Sequence, residues 1–181
     1  MEEKAASPMK TALNFGLMTA GAMIVYSLIL YVLDLDQNPW LPYFSYVLLI
    51  GGIYLGSKSY RDNYRGGYIT YGNAVLAGFL ISLAASVIVA IYTYFFFAFI
   101  NPDAMAEMLA VAEEGMLEKG MSEEEIDQAL AISRKMMSPG IMTIWAIFGN
   151  AIAGLILSLI TSIFVKKEEP LDGFPTQEET E

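Results

Sequence analysis

The sequence predicts an all-α integral membrane protein with four transmembrane helices and an extramembranous helical hairpin between the third and the fourth. Three observations lead to this fold class: hydrophobic residues make up 55% of the 181 residues, charged residues make up only 17%, and the charges cluster so that long uncharged tracts lie between them. Soluble domains carry about 25% charged residues. A helix that crosses a bilayer needs about 20 apolar residues, and the uncharged tracts are long enough to supply them.

Four uncharged tracts supply the predicted spans, which lie at about residues 11–33, 40–57, 72–97 and 140–165. The first tract is too long for the apolar region of a cleaved signal peptide, which runs about 7 to 15 residues. The second begins in a turn-forming segment that contains Pro39. We therefore treat residues 1–170 as one transmembrane domain, with the outer hairpin at 101–139, and residues 171–181 as a disordered acidic tail.

The distribution of lysine and arginine predicts how the spans are oriented. Seven of the ten Lys and Arg residues lie before span one, between spans two and three, or after span four, and the other three lie between spans three and four. Cytoplasmic loops carry the excess of Lys and Arg. Both termini are therefore predicted to be cytoplasmic, and the hairpin is predicted to face outwards. Tyr92, Tyr94 and Phe95–Phe97 would belong to an aromatic belt at the outer interface.

The composition excludes several functions. The chain has no Cys and no His, which rules out disulfides, thiolate zinc sites and Ser-His-Asp triads. Its net charge of -10 disfavours nucleic acid as a partner, because binding to a polyanion depends on neutralising its phosphates. No Asp, Glu, Lys or Arg lies within a predicted span, and such residues are the usual mark of proton relays and ion sites. We expect no enzymatic activity, no cofactor and no proton-coupled transport.

Small residues recur every four positions on the predicted spans and are expected to form helix–helix contacts, since small side chains let backbones approach closely in lipid. The residues expected to pack are Gly16 and Ala20 on span one, Gly52 and Gly56 on span two, Ala74, Gly78, Ser82 and Ser86 on span three, and Gly154 and Ser158 on span four. We predict a contact between spans three and four. Two questions stay open: whether Gly52 and Gly56 pack within one chain or between subunits, and whether Asn14, Asn73 and Asn150 line a polar path or only join helices.

The outer hairpin has the pattern of two amphipathic helices. Asn101 is predicted to cap the first helix, with Pro102 at its first position, and Gly120 to end it. Ser122 and Glu125 have the spacing of a capping box that opens the second helix. Apolar stripes along both helices are expected to pack together as a cap over the bundle; they contain Met105, Met108, Leu109, Ala112, Met116, Ile126, Ala129, Leu130, Ser133 and Met137.

Two metal sites are conceivable on the outer side, and the sequence favours neither. Several methionines lie in the hairpin, and thioethers can bind Cu(I), but methionine is also a common filler of helix interfaces. The run Asp34, Asp36 and Asn38 imitates the opening of a calcium loop. That loop requires Gly at its sixth position and Glu at its twelfth, where this sequence has Pro39 and Ser45. We expect solvated carboxylates here.

Arg61 and Arg65 lie one helical turn apart on the predicted cytoplasmic side. They are candidates for contact with a lipid headgroup phosphate, and the alternatives are pairing with the Asp62 carboxylate and ordinary anchoring at the cytoplasmic interface. Gly66 and Gly67 permit a sharp turn directly after them.

Several segments carry a family resemblance: Tyr60–Gly72, Ala90–Tyr94 with Phe99–Asp103, and Gly120–Pro139. Together they resemble the small bacterial membrane proteins grouped as domain of unknown function 4199, over about residues 9–170. The resemblance implies a four-span inner-membrane protein. It supplies no activity, substrate or catalytic residue.

The sequence favours a non-enzymatic scaffold or accessory subunit that acts through helix–helix contacts and its acidic outer hairpin. Its expected partners are the lipid bilayer and either a second copy of the chain or another membrane protein. The alternative is an oligomeric small-solute transporter or channel, in which several copies enclose the path because four spans leave little interior for a pore.

Overall fold

The computed structural model describes residues 8–35, 38 and 40–169, and the regular elements in this part of the chain are helices. In chain order these are α1 (Pro8–Val32), α2 (Ser45–Tyr64), α3 (Tyr71–Phe95), α4 (Ala104–Glu118), α5 (Glu123–Met136) and α6 (Pro139–Val165). A short 3-10 helix, Leu41–Phe44, leads into α2. A π-helical turn, Phe96–Ile100, extends α3.

Three of these helices are long and apolar enough to cross a membrane: α1, α3 with its π-helical turn, and α6. They coincide with predicted spans one, three and four. The helix α2 is not among them; it has 20 residues, and its last two turns carry Lys58, Arg61 and Asp62. The all-α class and the membrane character are therefore supported by three helices. The predicted acidic tail at 171–181 lies outside the described residues.

The helices α1, α2, α3 and α6 pack side by side as a bundle. In this bundle α2 and α3 contact each other, and each of them also contacts α1 and α6. The core contains Leu49, Ile53 and Ile81 together with the small residues Ala20 and Ala85. Most other large apolar side chains face outwards, and only 22% of the most apolar 18-residue stretch of α6 is buried. An apolar outer surface of this extent suits lipid rather than water.

The bundle has two ends of opposite charge. The helices α1 and α3 run from the first end to the second, and α2 and α6 run back. At the first end, which we call the basic end, lie Lys10, Lys58, Arg61, Arg65, Lys166 and Lys167. At the second end, which we call the acidic end, lies the α4–α5 pair; the chain from 101 to 139 has nine acidic and three basic residues.

The helices α4 and α5 contact each other and are joined by a turn at Gly120, whose φ is +73°. The predicted capping box is confirmed: the Ser122 side chain accepts the Glu125 N–H, and the Glu125 carboxylate accepts the Ser122 N–H at 2.9 Å. Ile126 and Leu130 of α5 are buried, whereas α4 has no buried residue. The predicted apolar stripe of α4 is therefore only partly covered, because α4 packs mainly against α5.

The predicted start of α4 at Pro102 is wrong. The helix begins at Ala104, and Asp103 precedes it. Asn101 still satisfies one helix N–H, because its side chain accepts the Ala104 amide at 3.1 Å. The shift has a local cause: the Asn101 N–H donates to the Phe96 carbonyl at 2.8 Å and closes the π-helical turn. The chain must leave that turn before it can begin a new helix.

Candidate functional site

Facing small residues form the contact between α3 and α6. Gly78 lies against Ser158 and Gly154 lies against Ser82, so closely that a Cβ atom added to either glycine would overlap the opposite side chain. The Ser158 hydroxyl crosses the interface and donates to the Val75 carbonyl at 2.7 Å. The interface therefore combines close backbone approach with an interhelical hydrogen bond, the two contributions that hold helices together in lipid.

The other small residues singled out in the sequence face helices of the same chain. The pairs are Gly16 with Ala84, Gly52 with Thr19, and Gly56 with Phe15. In this structure Gly52 and Gly56 thus pack within one chain: Gly52 faces α1, and Gly56 faces α1 and also Ile81 of α3. Ala20, Ala74 and Ser86 are each buried in the bundle.

At the basic end, the connection between α2 and α3 is joined to the end of α6. Ile69 and Lys167 exchange two backbone hydrogen bonds of 2.8 and 3.0 Å. The Arg61 Nη1 donates to the Val165 carbonyl at 2.9 Å. We call Arg61, Ile69, Val165 and Lys167 the clasp. The clasp gives partners to backbone groups that the end of a helix leaves without any.

Arg61 and Arg65 do not converge on one site. Arg61 is paired with Asp62, with 2.7 Å between Nε and Oδ1, which is one of the alternatives that the sequence left open. This hydrogen bond lowers the pKa of the Asp62 carboxyl below its ordinary value. The Arg65 guanidinium instead lies 5.9 Å from the centre of the Tyr60 ring.

A cavity of about 400 Å³ lies beside the clasp, and Arg65 and Lys167 both line it. The Lys167 Nζ is 5.2 Å from the centre of the Tyr68 ring. Glu168 and Glu169 line the same cavity, so its charge is mixed. A lipid phosphate at this end would therefore meet Arg65 with Lys167 rather than the predicted pair of Arg61 with Arg65.

Two further cavities lie towards the acidic end. One, the α4 cavity, measures about 470 Å³ and is bounded by α4 and the ends of α1 and α3; Tyr31, Phe96, Phe97, Glu107, Met108 and Met137 line much of it. The other, the bundle cavity, measures about 310 Å³ and lies among α1, α2, α3 and α6; its wall includes Met23, Tyr46, Tyr92, Thr93 and Asn150. Ser27 lines both cavities, and its hydroxyl lies 3.3 Å from the Tyr92 hydroxyl.

The three asparagines named from the sequence do not share one cavity. Asn150 lines the bundle cavity, and its amide donates to the Ala146 carbonyl one turn earlier at 2.9 Å rather than to another helix. Asn14 and Asn73 are not part of that wall. Asn14 lies in the second turn of α1 and Asn73 in the first turn of α3, both nearer the basic end.

Some residues that line the cavities were not predicted to do so from the sequence. Phe96 and Phe97 were assigned to an interfacial aromatic belt, but both are half-buried and line the α4 cavity. Phe95, with 53% of its surface exposed, remains suited to the belt, and Phe99, which was not assigned to it, is 70% exposed. Composition alone could not separate these neighbours, because their roles depend on where the π-helical turn begins.

The sequence of almost the whole bundle matches a known protein family. The sequence model of a family described as protein of unknown function (DUF4199) matches residues 14–167. The chain belongs to this family. The resemblance inferred from the sequence is thereby confirmed, and the DUF4199 match extends from within α1 to Lys167 of the clasp. No curated protein and no solved structure matches the chain.

In this DUF4199 chain, the side chains that line the two cavities are suited to binding a small molecule. Aromatic and aliphatic side chains supply most of the walls, and Ser27, Ser45, Thr93, Asn101, Glu107 and Asn150 are among the polar residues. Apolar walls with a few polar groups are typical of small-molecule sites.

Proposed function

We propose that the protein is a four-span membrane protein without enzymatic activity, which acts as a scaffold or accessory subunit in the bacterial inner membrane. Its spans are α1, α2, α3 and α6, and both termini are cytoplasmic. The α4–α5 pair lies outside the bilayer on the opposite side and contacts the partner.

The relative direction of α1 and α3 supports α2 as the second span. Near the acidic end, the rings of Tyr31 and Phe96 lie 5.2 Å apart, and further towards the basic end Gly16 lies against Ala84. The two helices therefore run in the same direction. When two parallel helices both cross a membrane, the chain between them must return across it, and α2 is the one described helix that can do so.

The residues of α2 suit a return crossing. No charged residue occurs between Leu41 and Ser57. Val47 and Leu55 are each more than half exposed on the outside of the bundle, where a membrane protein meets lipid. Lys58 and Arg61 then lie at the basic end, where the positive-inside rule favours them if that end is cytoplasmic.

One observation carries the scaffold role: the α4–α5 pair is folded, yet it leaves large apolar side chains uncovered. Leu117, Ile132 and Met136 are about half exposed or more, while Ile126 and Leu130 are buried. Large apolar side chains that a folded segment leaves exposed can form a surface that meets another protein. A scaffold would use these side chains as contact points.

Photo-crosslinking tests the scaffold role. A photoreactive amino acid is placed at Leu117 or Ile132 of the full-length chain in its native membrane, and at the exposed polar residue Gln128 as the matched control. We expect a discrete adduct, with a second copy or with one other membrane protein, from the two apolar positions and not from Gln128. Adducts to lipid alone, or equal adducts from all three positions, would contradict the proposal.

A second candidate function, small-solute transport, is favoured by the two cavities that meet at Ser27. The half of the bundle nearer the basic end is closed by Ile53, Ile81 and the contact between Gly78 and Ser158. Transport would therefore require the α3–α6 interface to open. Solute uptake that is lost on deletion of the gene and restored by the wild-type chain would favour this function over a scaffold.

A further inference from the structure

The α4 cavity has the dimensions of a small-molecule site. Its volume of about 470 Å³ falls within the roughly 300 to 1,000 Å³ of typical ligand pockets. It lies at the acidic end, between α4 and the ends of α1 and α3. The scaffold role proposed above does not involve this cavity, so a ligand bound in it would serve a separate function.

Three aromatic rings form one corner of the cavity. Tyr31 and Phe96 meet edge to face, with ring centroids 5.2 Å apart and an interplanar angle of 84°. Phe96 and Phe97 meet in the same way, at 5.4 Å and 86°. All three residues line the cavity, and the face of an aromatic ring attracts a cation. All three rings are half-buried, and partial removal of water strengthens this attraction.

Glu107 gives the cavity a negative charge. Among the described residues it is the one charged side chain in the cavity wall, and the ion pair found in this part of the chain, Arg61 with Asp62, does not involve it. The surrounding segment is acidic overall, with nine acidic and three basic residues between 101 and 139. A cation is therefore attracted towards the cavity, whereas an anion would meet no basic side chain in its wall.

The remaining wall favours an organic cation over a metal ion. Calcium and magnesium need about six oxygen ligands. The polar side chains of the wall are those of Glu107, Asn101, Ser27 and Tyr31, which supply fewer oxygen atoms than that. Met108 and Met137 instead supply flexible apolar surface that can adapt to an irregular ligand.

The π-helical turn builds part of this wall. The Asn101 N–H donates to the Phe96 carbonyl at 2.8 Å, which closes the turn over five residues, and both residues line the cavity. Such turns are rare and occur frequently at functional sites. This turn at the end of α3 places Phe96, Phe97 and Asn101 in the wall of the α4 cavity.

We propose that the α4 cavity binds a lipophilic organic cation, namely an amine or quaternary ammonium group attached to an apolar body. The cationic group lies between the Glu107 carboxylate and the corner formed by Tyr31, Phe96 and Phe97. The apolar body contacts Met108 and the other apolar side chains of the wall.

A matched pair of ligands tests the charge requirement. Benzyltrimethylammonium is titrated into the full-length protein in mild detergent, and neopentylbenzene, in which carbon replaces the quaternary nitrogen, is the uncharged control of the same shape. Binding is followed by ligand-observed NMR, with empty micelles as the blank. We expect saturable binding of the cation, at least about tenfold tighter than binding of the control. Equal binding of the two ligands, or no saturable binding of the cation, would overturn the proposal.

Matched variants test the location. Glu107→Gln removes the charge and keeps the shape, and Glu114→Gln makes the same change on α4 outside the cavity wall. We expect about tenfold weaker cation binding for Glu107→Gln and no change for Glu114→Gln. Phe96→Leu should weaken binding about threefold or more, whereas Phe99→Leu, at a side chain outside the wall, should not.

A labelling experiment covers the case in which a cavity variant fails to fold. A photoreactive benzylammonium is crosslinked to the wild-type protein, and the labelled residues are identified by mass spectrometry. Labels on Tyr31, Phe96, Met108 or Met137 support the α4 cavity. Labels confined to other parts of the chain, or equal losses of binding in Glu107→Gln and Glu114→Gln, would contradict it.

Discussion

Ile69, in the connection between α2 and α3, and Lys167, after the end of α6, exchange two backbone hydrogen bonds at the basic end of the bundle. Among the residues that the structure describes, Arg61 is the one whose side chain contributes a hydrogen bond to this clasp, by donating to the Val165 carbonyl. The clasp fixes three helix ends relative to one another. Substitution of Arg61 therefore tests how much the clasp contributes to stability.

Arg61→Ala should destabilise the protein more than Arg65→Ala. The first change removes a charge-assisted hydrogen bond to the Val165 carbonyl, a loss of about 1.5 to 3 kcal/mol in the free energy of unfolding. It also removes the solvent-exposed pairing with Asp62, which adds little to stability. The second removes an exposed contact with the Tyr60 ring, which is worth about 0.5 to 1 kcal/mol. Thermal unfolding of both variants in the same detergent checks the difference. Equal losses would show that the clasp does not depend on Arg61.

Gly154→Ala should disturb the bundle, and Gly149→Ala on the same helix should not. A Cβ atom at Gly154 would overlap Ser82, whereas nothing lies within 4 Å of a Cβ atom at Gly149. Overpacking of this kind costs about 1 to 3 kcal/mol, and an unobstructed Gly→Ala change in a helix is neutral or stabilising. Thermal stability in detergent is the measurement. If the two variants melt together, the α3–α6 contact is not as close as described.

Leu130→Asp should unfold the α4–α5 pair, whereas Ile132→Asp should not. Leu130 is 5% exposed and Ile132 is 61% exposed, so only the first change places a carboxylate in an apolar contact. Limited proteolysis of the 101–139 segment should be faster in Leu130→Asp, while the spans stay inserted. Cleavage of the wild-type chain at the rate of the Leu130→Asp variant would mean that the pair is not folded in solution.

The capping box should make the start of α5 sensitive to acid. Hydrogen bonds from the Ser122 N–H and then from the Ser122 hydroxyl lower the pKa of Glu125. Because the pKa is lower in the folded state, this stabilisation is present above the unfolded pKa of about 4.3 and is lost as the pH falls through the folded pKa.

NMR chemical shifts at the start of α5, measured in detergent between pH 7 and pH 3, check this dependence. We expect helical shifts above the unfolded pKa of Glu125 and a loss of helicity in the first turn below its folded pKa. In Ser122→Ala the start of α5 should already be frayed at neutral pH. Wild-type shifts that do not change over this range would contradict a contribution from the ionised box.

Much of the fold could be predicted from local features of the sequence. The positions of the charges and the lengths of the tracts between them located α1, α3 and α6 to within about three residues, because burial in lipid imposes both a minimum length and an absence of charge. Ser122 and Glu125 were recognisable because a capping box involves only four consecutive residues.

Features that depend on distant residues could not be predicted. The bond between Arg61 and Val165 and the pairing of Ile69 with Lys167 join segments about 100 residues apart, and no local pattern indicates them. The π-helical turn at Phe96 changes which aromatic side chains face the α4 cavity, yet hydropathy treats all five residues of the turn alike. Ile81 illustrates the same difficulty: it resembles a lipid-facing residue in sequence, but it is fully buried.

We propose that α2 returns across the membrane between α1 and α3, and cysteine labelling tests this most directly. The chain has no cysteine, so single cysteines can be placed at Asn38 before α2, at Asn63 in its last turn and at Ser122 before α5, all of them exposed positions. Spheroplasts with intact inner membranes are treated with a membrane-impermeant thiol reagent before and after permeabilisation. We expect labelling at 38 and 122 before permeabilisation, and at 63 only afterwards. Labelling of 38 and 63 from the same side would contradict the four-span account.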